Sequence, residues 1–279
     1  MSTPAPPKLP DGTHTDFKDA LGYSDYLRLD TLLGSQQPLT EEHDELLFII
    51  IHQASELWLK LVVHELAGAR DCLAADDLRP AFKMLARIAA IQTQLIQSWS
   101  VLSTLTPADY LRFRDALGHS SGLQSHQYRQ IEFILGNKNP AYLAPHAHTP
   151  EIHQILRTTL DAPSLYNEAI LLLARRGFAI DEAVIARDWA EPHAANDSVM
   201  QAWLAIYRDT QTHWGLYELA EKLLDLEDSF QQWRFRHLET VKRIIGFKRG
   251  TGGTAGVGYL ASALDYRFFP ELWDLRTAL

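Results

Sequence analysis

Two histidines stand on the apolar faces of long helical patterns. His237 lies in LLDLEDSFQQWRFRHLETVKRIIGF, on one stripe with Leu223, Leu226, Phe230, Trp233, Val241 and Ile244. Steps of three and four residues trace a single face at 3.6 residues per turn. A ring nitrogen on such a face needs a partner, because leaving it buried and unpaired costs about 1–3 kcal/mol. A backbone carbonyl supplies that partner in an ordinary core histidine; a metal is the other source. The glycine-rich stretch GFKRGTGGTAGVG follows directly. A buried imidazole next to a flexible loop can hold a flat iron cofactor and close over it. On an earlier helix His52 shares a stripe with Phe48, Leu59, Val63 and Leu66, flanked by Ser55 and Glu56. It reads either as a core histidine tied to Glu56 one turn on, or as a second imidazole facing the first. In the latter case one ring ligates a metal and the other addresses a substrate.

Tyr110 and Arg114 stand four apart near the start of a helix, so their side chains can converge. A phenol beside a guanidinium suits a carboxylate, which arginine binds bidentately; the plain alternative is an exposed pair. Other chemistries fail on their spacing. His64-Glu65 opens an H-E-x-x-H pattern, but Gly68 stands where the second ligand belongs. The glycine-rich loop lacks the G-K-[ST] of a phosphate loop, and G-x-S-x-G is absent. His146, His148 and His153 cluster in APHAHTPEIH as a candidate surface metal site, with no carboxylate at ligand spacing.

The elements that must position these residues read as helices throughout. Apolar periodicity predicts long helices over 41–75, 77–104 and about 210–245, and shorter ones over 149–160, 162–176 and 197–208. In LTPADYLRFRDALG, Thr106 fits an N-cap, Pro107 the first helical position and Gly118 the stop. QSHQYRQIEFILGNKNP repeats that grammar with Gly136 and Pro140. No alternating β-branched run and no internal repeat is present. The expectation is an all-α, bundle-like single domain around a cofactor pocket. It has an N-terminal arm over about 1–40 and an active-site loop over about 246–258. The first dozen residues read as loose, whereas Tyr23, Tyr26, Leu27 and Leu29 make the arm too apolar to float in water.

Composition narrows the setting. The 279 residues are 46 % hydrophobic and carry a net charge of −9 without a basic cluster, which argues against nucleic acid and anionic membranes. Cys72 is the sole cysteine, so no intrachain disulfide, iron–sulfur cluster or C-x-x-C-H haem attachment is possible. The N-terminus lacks the apolar core of a signal peptide, and the longest apolar run, residues 46–51, is too short for a bilayer. The expected location is cytoplasmic.

Four segments carry a family likeness: FIIIHQASELWLK, TPADYLRFRDALGHSSGLQSHQYRQIEFILGNKNP, FQQWRFRHLETVKRIIGFKRGTGGTAGVGYL and FFPELWDLRTAL. In this order, and over the chain from about Thr13 onward, they resemble tryptophan 2,3-dioxygenases, most closely the bacterial ones. The resemblance implies a haem b enzyme, one ferrous haem per subunit, that adds both atoms of O2 across the indole C2–C3 bond of L-tryptophan to give N-formyl-L-kynurenine. His237 then matches the proximal iron ligand, and His52 the distal histidine that meets the indole N–H. Phe48, Ile49, Ile50 and Ile51 match the segment lining the substrate pocket. Tyr110 and Arg114 match the carboxylate clamp, and Thr251 the loop residue closing on the amino-acid end. Tyr23, Tyr26, Leu27 and Leu29 resemble an arm that reaches a neighbour's site in a homotetramer. Leu123, where Phe is usual, His126, where an apolar residue is common, and Thr254-Ala255, where two serines are frequent, depart from the pattern. Two other readings stay open: a haem carrier or sensor without catalysis, and a non-haem metalloenzyme built on His146, His148 and His153.

Overall fold

The computed structural model describes residues 8–253 and 256–279. Most of the expected arm is therefore within it, whereas Met1 to Pro7 and the departures at Thr254 and Ala255 lie outside the described residues. Among these the fold is all-α. Two short helices, α1 (Tyr23–Leu27) and α2 (Leu29–Leu33), form the arm, and then come α3 (His43–Ala74) and α4 (Leu78–Leu102). Next are α5 (Pro107–Phe113), α6 (His126–Leu135), α7 (Pro150–Asp161), α8 (Leu165–Arg175), α9 (Glu182–Ile185) and α10 (Asp197–Arg208). The chain ends in α11 (Trp214–Ile244), α12 (Val257–Ser262) and α13 (Pro270–Ala278).

The long helices follow the predicted periods. α3 packs against α4, α6 and α8, while α11 lies along α4 and against α10 and α12. Their inward positions, among them Leu59, Leu66, Leu85, Ile88, Leu223 and Phe230, build one principal core. A smaller apolar cluster forms where the start of α3, the end of α4, α5 and the end of α11 converge. It holds Leu102, Leu105, Tyr110, Phe113 and Ile244.

Local rules set the ends. Thr106 caps α5 by accepting from the Asp109 amide at 3.3 Å, with Pro107 at the first position. The α-helix stops at Phe113 rather than running to Gly118, and Arg114–Leu117 continue as a single 3-10 turn. Gly136 ends α6 at φ 121°, a left-handed value that strains any residue with a Cβ, and its amide returns to the Glu132 carbonyl.

Buried charge fixes α6 to α11. Glu132 accepts from Arg129 and, at 3.2 Å, from Arg234, and all three side chains are nearly inaccessible. Arg234 also donates to the Ala263 carbonyl at 3.0 Å, which anchors the segment after the glycine-rich loop. Such a network tolerates no missing member, because an uncompensated buried charge costs about 3–5 kcal/mol. The C-terminal α13, not foreseen from the sequence, is held similarly. Its buried Glu271 accepts from the Tyr166 hydroxyl at 2.9 Å and the Asn196 amide at 2.9 Å, and meets His193 Nε2 at 2.7 Å.

Among the described residues one helix, α3, is long and apolar enough to cross a membrane by length and composition. It nevertheless packs on four other helices, and its buried Glu65 pairs with Arg87 at 2.6 Å. The apolar residues it leaves uncovered are Leu46, Ile50, Leu57 and Trp58.

Candidate functional site

His237 sits two turns before the end of α11, walled by two indoles. Trp99, from the last turns of α4, stacks on the imidazole at 4.6 Å between centroids with planes 10° apart. Trp233, one turn earlier on α11, tilts against the same ring at 5.5 Å. Burial pushes the imidazole's pKa down to about 4, and the nearby His52 ring opposes its protonation further. The ring is thus neutral near pH 7, with a lone pair free to ligate. Among the described residues no hydrogen bond contributes to its titration, and the residue is only half-buried, so part of the ring is left open. A core histidine satisfied by a carbonyl does not look like this. Trp99 Nε1, also buried, has no partner among the described residues.

His52 of α3 lies near enough for its charge to act on the His237 ring. Its Nδ1 is 2.7 Å from the Phe48 carbonyl one turn back. A carbonyl only accepts, so Nδ1 carries the proton and Nε2 presents its lone pair outward. The tie to Glu56 expected for a core histidine is not formed. Gln127 of α6 donates instead to both the Glu56 carbonyl (2.8 Å) and its carboxylate (2.7 Å). His52 as a residue is exposed, yet desolvation of its ring lowers the pKa, against the opposing pull of the Phe48 carbonyl and the Glu56 charge. Phe48 lies 4.2 Å from the His52 ring and touches Tyr110 and Phe113. Phe48 and Ile51 join the small cluster; Ile49 is not part of it, and Ile50 is 46 % exposed. Helical geometry explains the split, since 48, 51 and 52 share a face and 49 and 50 point elsewhere.

Tyr110 and Arg114 do converge. Burial raises the phenol's pKa while the adjacent guanidinium holds it back. Together with Ile244, Ile245, Gly246 and Lys248 they line a cavity of about 260 Å³ at the end of α11. Arg114 Nη2 donates to the Arg249 carbonyl at 2.6 Å, and its buried Nε has no partner among the described residues. The loop rests on the 118–122 segment, where the Thr251 hydroxyl donates to the Ser120 carbonyl. Gly252 approaches so closely that an added Cβ would stand 2.7 Å from Ser121 Cβ. Gly252→Ala therefore lifts the loop off this seat at a cost of about 1–3 kcal/mol. Faster amide exchange over 249–253 is the expected result, reversed by a second change, Ser121→Gly; unchanged exchange in the single variant would remove the seat.

The remaining predicted residues are not brought to this place within one chain. Tyr23 and Tyr26 are 76 % and 74 % exposed, Leu27 is exposed and Leu29 half-buried. Leu123, in a 3-10 turn before α6, and His126, its first residue, are half-buried, and Arg129 Nε donates to the Leu123 carbonyl. His146 is buried rather than at the surface, and no group of three metal-ligating side chains forms among the described residues. The histidine cluster is thus not a metal site as the structure stands. Sequence reasoning passed over Trp99, Gln127, Ser120 and Ser121. Only the aromatic type of Trp99 within an apolar stripe hinted at it.

The model of the family described as tryptophan 2,3-dioxygenase matches residues 9–206 and 204–279. A tryptophan 2,3-dioxygenase 1 from Ralstonia nicotianae is 59 % identical, over 95 % of this chain and 90 % of its own length. The tryptophan 2,3-dioxygenase of Cupriavidus necator is 59 % identical over 96 % and 91 % of the two chains. That of Bacillus anthracis is 56 % identical over 96 % of each. With matches spanning nearly its whole length, the chain belongs to the tryptophan 2,3-dioxygenase family.

Proposed function

We propose that this chain adds both atoms of O2 across the indole C2–C3 bond of L-tryptophan, giving N-formyl-L-kynurenine, with haem b held by His237. The observation that carries this reading is a neutral imidazole set against two indoles, with no hydrogen-bond partner among the described residues and with the His52 ring nearby. The donor chemistry fits the group: a neutral ring nitrogen is a common axial ligand, and apolar aromatic walls suit a porphyrin plane. Ferrous haem, when bound there, supplies O2 binding and activation.

The chain's own residues do the rest. His52 Nε2 accepts the indole N–H, its tautomer set by the Phe48 carbonyl. Phe48 and Ile51 flank the indole and keep water out. An aromatic side chain buries roughly 150–250 Å², which at ~25 cal/mol per Å² is about 4–6 kcal/mol before ordering costs. That contribution accepts many indoles. Selectivity for the amino acid comes from Arg114 and Tyr110 on the carboxylate, with Thr251 closing the loop. Residues 1–279 serve as one dioxygenase domain, and Leu123 and His126 leave its reacting groups untouched. The exposed Tyr23, Tyr26, Leu27 and Leu33 of the arm, and Leu46, Leu57 and Trp58 of α3, favour burial between subunits of a homotetramer. The arm then brings Tyr23, Tyr26, Leu27 and Leu29 to a neighbour's site. A cytoplasmic, catabolic role goes with this activity.

The test is direct. Purified protein should carry about one haem per chain, with a Soret band that moves on adding CO. Given reductant, air and L-tryptophan, it should build up the product's near-ultraviolet absorbance. Protein free of haem would defeat the proposal, and haem without oxygen-dependent tryptophan consumption would leave only a carrier or sensor. His52→Ala should keep measurable turnover, because its task is positioning; its loss should resemble that of one hydrogen bond, about 0.5–1.5 kcal/mol or up to ~10-fold. Complete inactivity with haem and tryptophan still bound would show that it does more.

A further inference from the structure

We propose that Trp99 is a positioning residue for His237, setting the rotation of the imidazole by stacking. The inference rests on His237 as haem ligand. A metal-bound histidine ordinarily donates its second ring N–H to a carboxylate or carbonyl, and that bond fixes the ring's orientation. Among the described residues the His237 ring meets aromatic faces rather than such an acceptor. What does contact the ring is the Trp99 indole, parallel within 10° at 4.6 Å, with Trp233 tilted against it at 5.5 Å.

The indole is itself held in register. Ser103, one turn after Trp99 and just past the end of α4, donates to the Trp99 carbonyl at 2.7 Å and bonds the Thr240 hydroxyl at 3.3 Å. Thr240 lies on α11 just beyond His237. This bridge locks the two turns against each other, so the indole meets the imidazole face to face. Two consequences follow. Orientation by packing leaves the ring N–H unpolarised by any carboxylate, so His237 acts as a neutral imidazole of moderate donor strength. The buried Trp99 Nε1, unpartnered among the described residues, is a donor left for the group that fills the space.

The experiment compares wild type, Trp99→Leu and Trp99→Phe as ferrous holoproteins, reading the iron–histidine stretching band by resonance Raman and haem transfer to excess apomyoglobin. Trp99→Leu should broaden and shift the band and release haem about 10–100-fold faster, the usual effect of removing a supporting partner. Trp99→Phe keeps an aromatic plane and should largely restore the band while still losing haem faster, because its N–H is gone. If Trp99→Leu lacks native helicity, Trp99→Met replaces it. A wild-type band and wild-type haem retention in the flexible variant, or one altered band shared by both variants, would overturn the role of stacking. Wild-type protein with haem but no iron–histidine band would instead overturn the ligand assignment.

Discussion

His237→Ala is expected to yield a folded, helical and nearly haem-free protein. The ligand itself is removed, and even supporting residues around a metal typically cost 10–100-fold in affinity; retained haem should fall to about a tenth or less. Folding should survive. Among the described residues the imidazole makes no hydrogen bond whose partner would be orphaned, and it is only half-buried, so truncation excavates less than it would in a fully packed core. Burial also disfavours its charged form, so no ion pair is lost. Haem content by the pyridine haemochrome method, beside far-ultraviolet circular dichroism, separates the two effects. Added imidazole should restore part of the haem, since the site between Trp99 and Trp233 remains. Full haem content in the variant would move the ligand elsewhere, with His52 the first candidate.

The long helices and both histidines were legible in the sequence because apolar spacing reports one face of a helix directly. Thr106, Pro107 and Gly136 were legible for a similar reason, as caps are local chemistry. What the sequence could not give is what faces what. The indole stacked on His237 comes from residue 99, on another helix, and nothing local links the two. Gln127 captures Glu56 only because α6 crosses α3, so His52 turns to the Phe48 carbonyl instead. Glu132, Arg129 and Arg234 look like surface charges until α6 and α11 are packed together. Short helices such as α1, α9 and α12 lack the length for a period to register. The run Phe48–Ile51, a pocket lining by family resemblance, does not present one surface in the single chain, because the helix sends Ile50 outward.

Arg114→Ala should weaken L-tryptophan far more than it disturbs haem. A hydrogen bond to a charged group contributes about 1.5–3 kcal/mol, which at 1.4 kcal/mol per decade is roughly a 10- to 150-fold rise in KM. Haem content should stay at the wild-type level, because Arg114 touches the loop and the α5 cluster and not the walls of His237. Tryptamine, which lacks the carboxylate, supplies the internal control: its binding should change little, so the ratio of the two affinities collapses. Arg114→Lys should fall between, since lysine keeps the charge but loses the two-pronged fork. The loop complicates a simple reading, because the guanidinium now holds the Arg249 carbonyl and its removal also frees that segment. Gly252→Ala resolves this. It loosens the loop while leaving the clamp, so it should raise KM without erasing the preference for tryptophan over tryptamine. Equal tryptophan affinity in Arg114→Ala and wild type would assign the carboxylate to another group, and Lys248, on the same cavity wall, would be the next to replace.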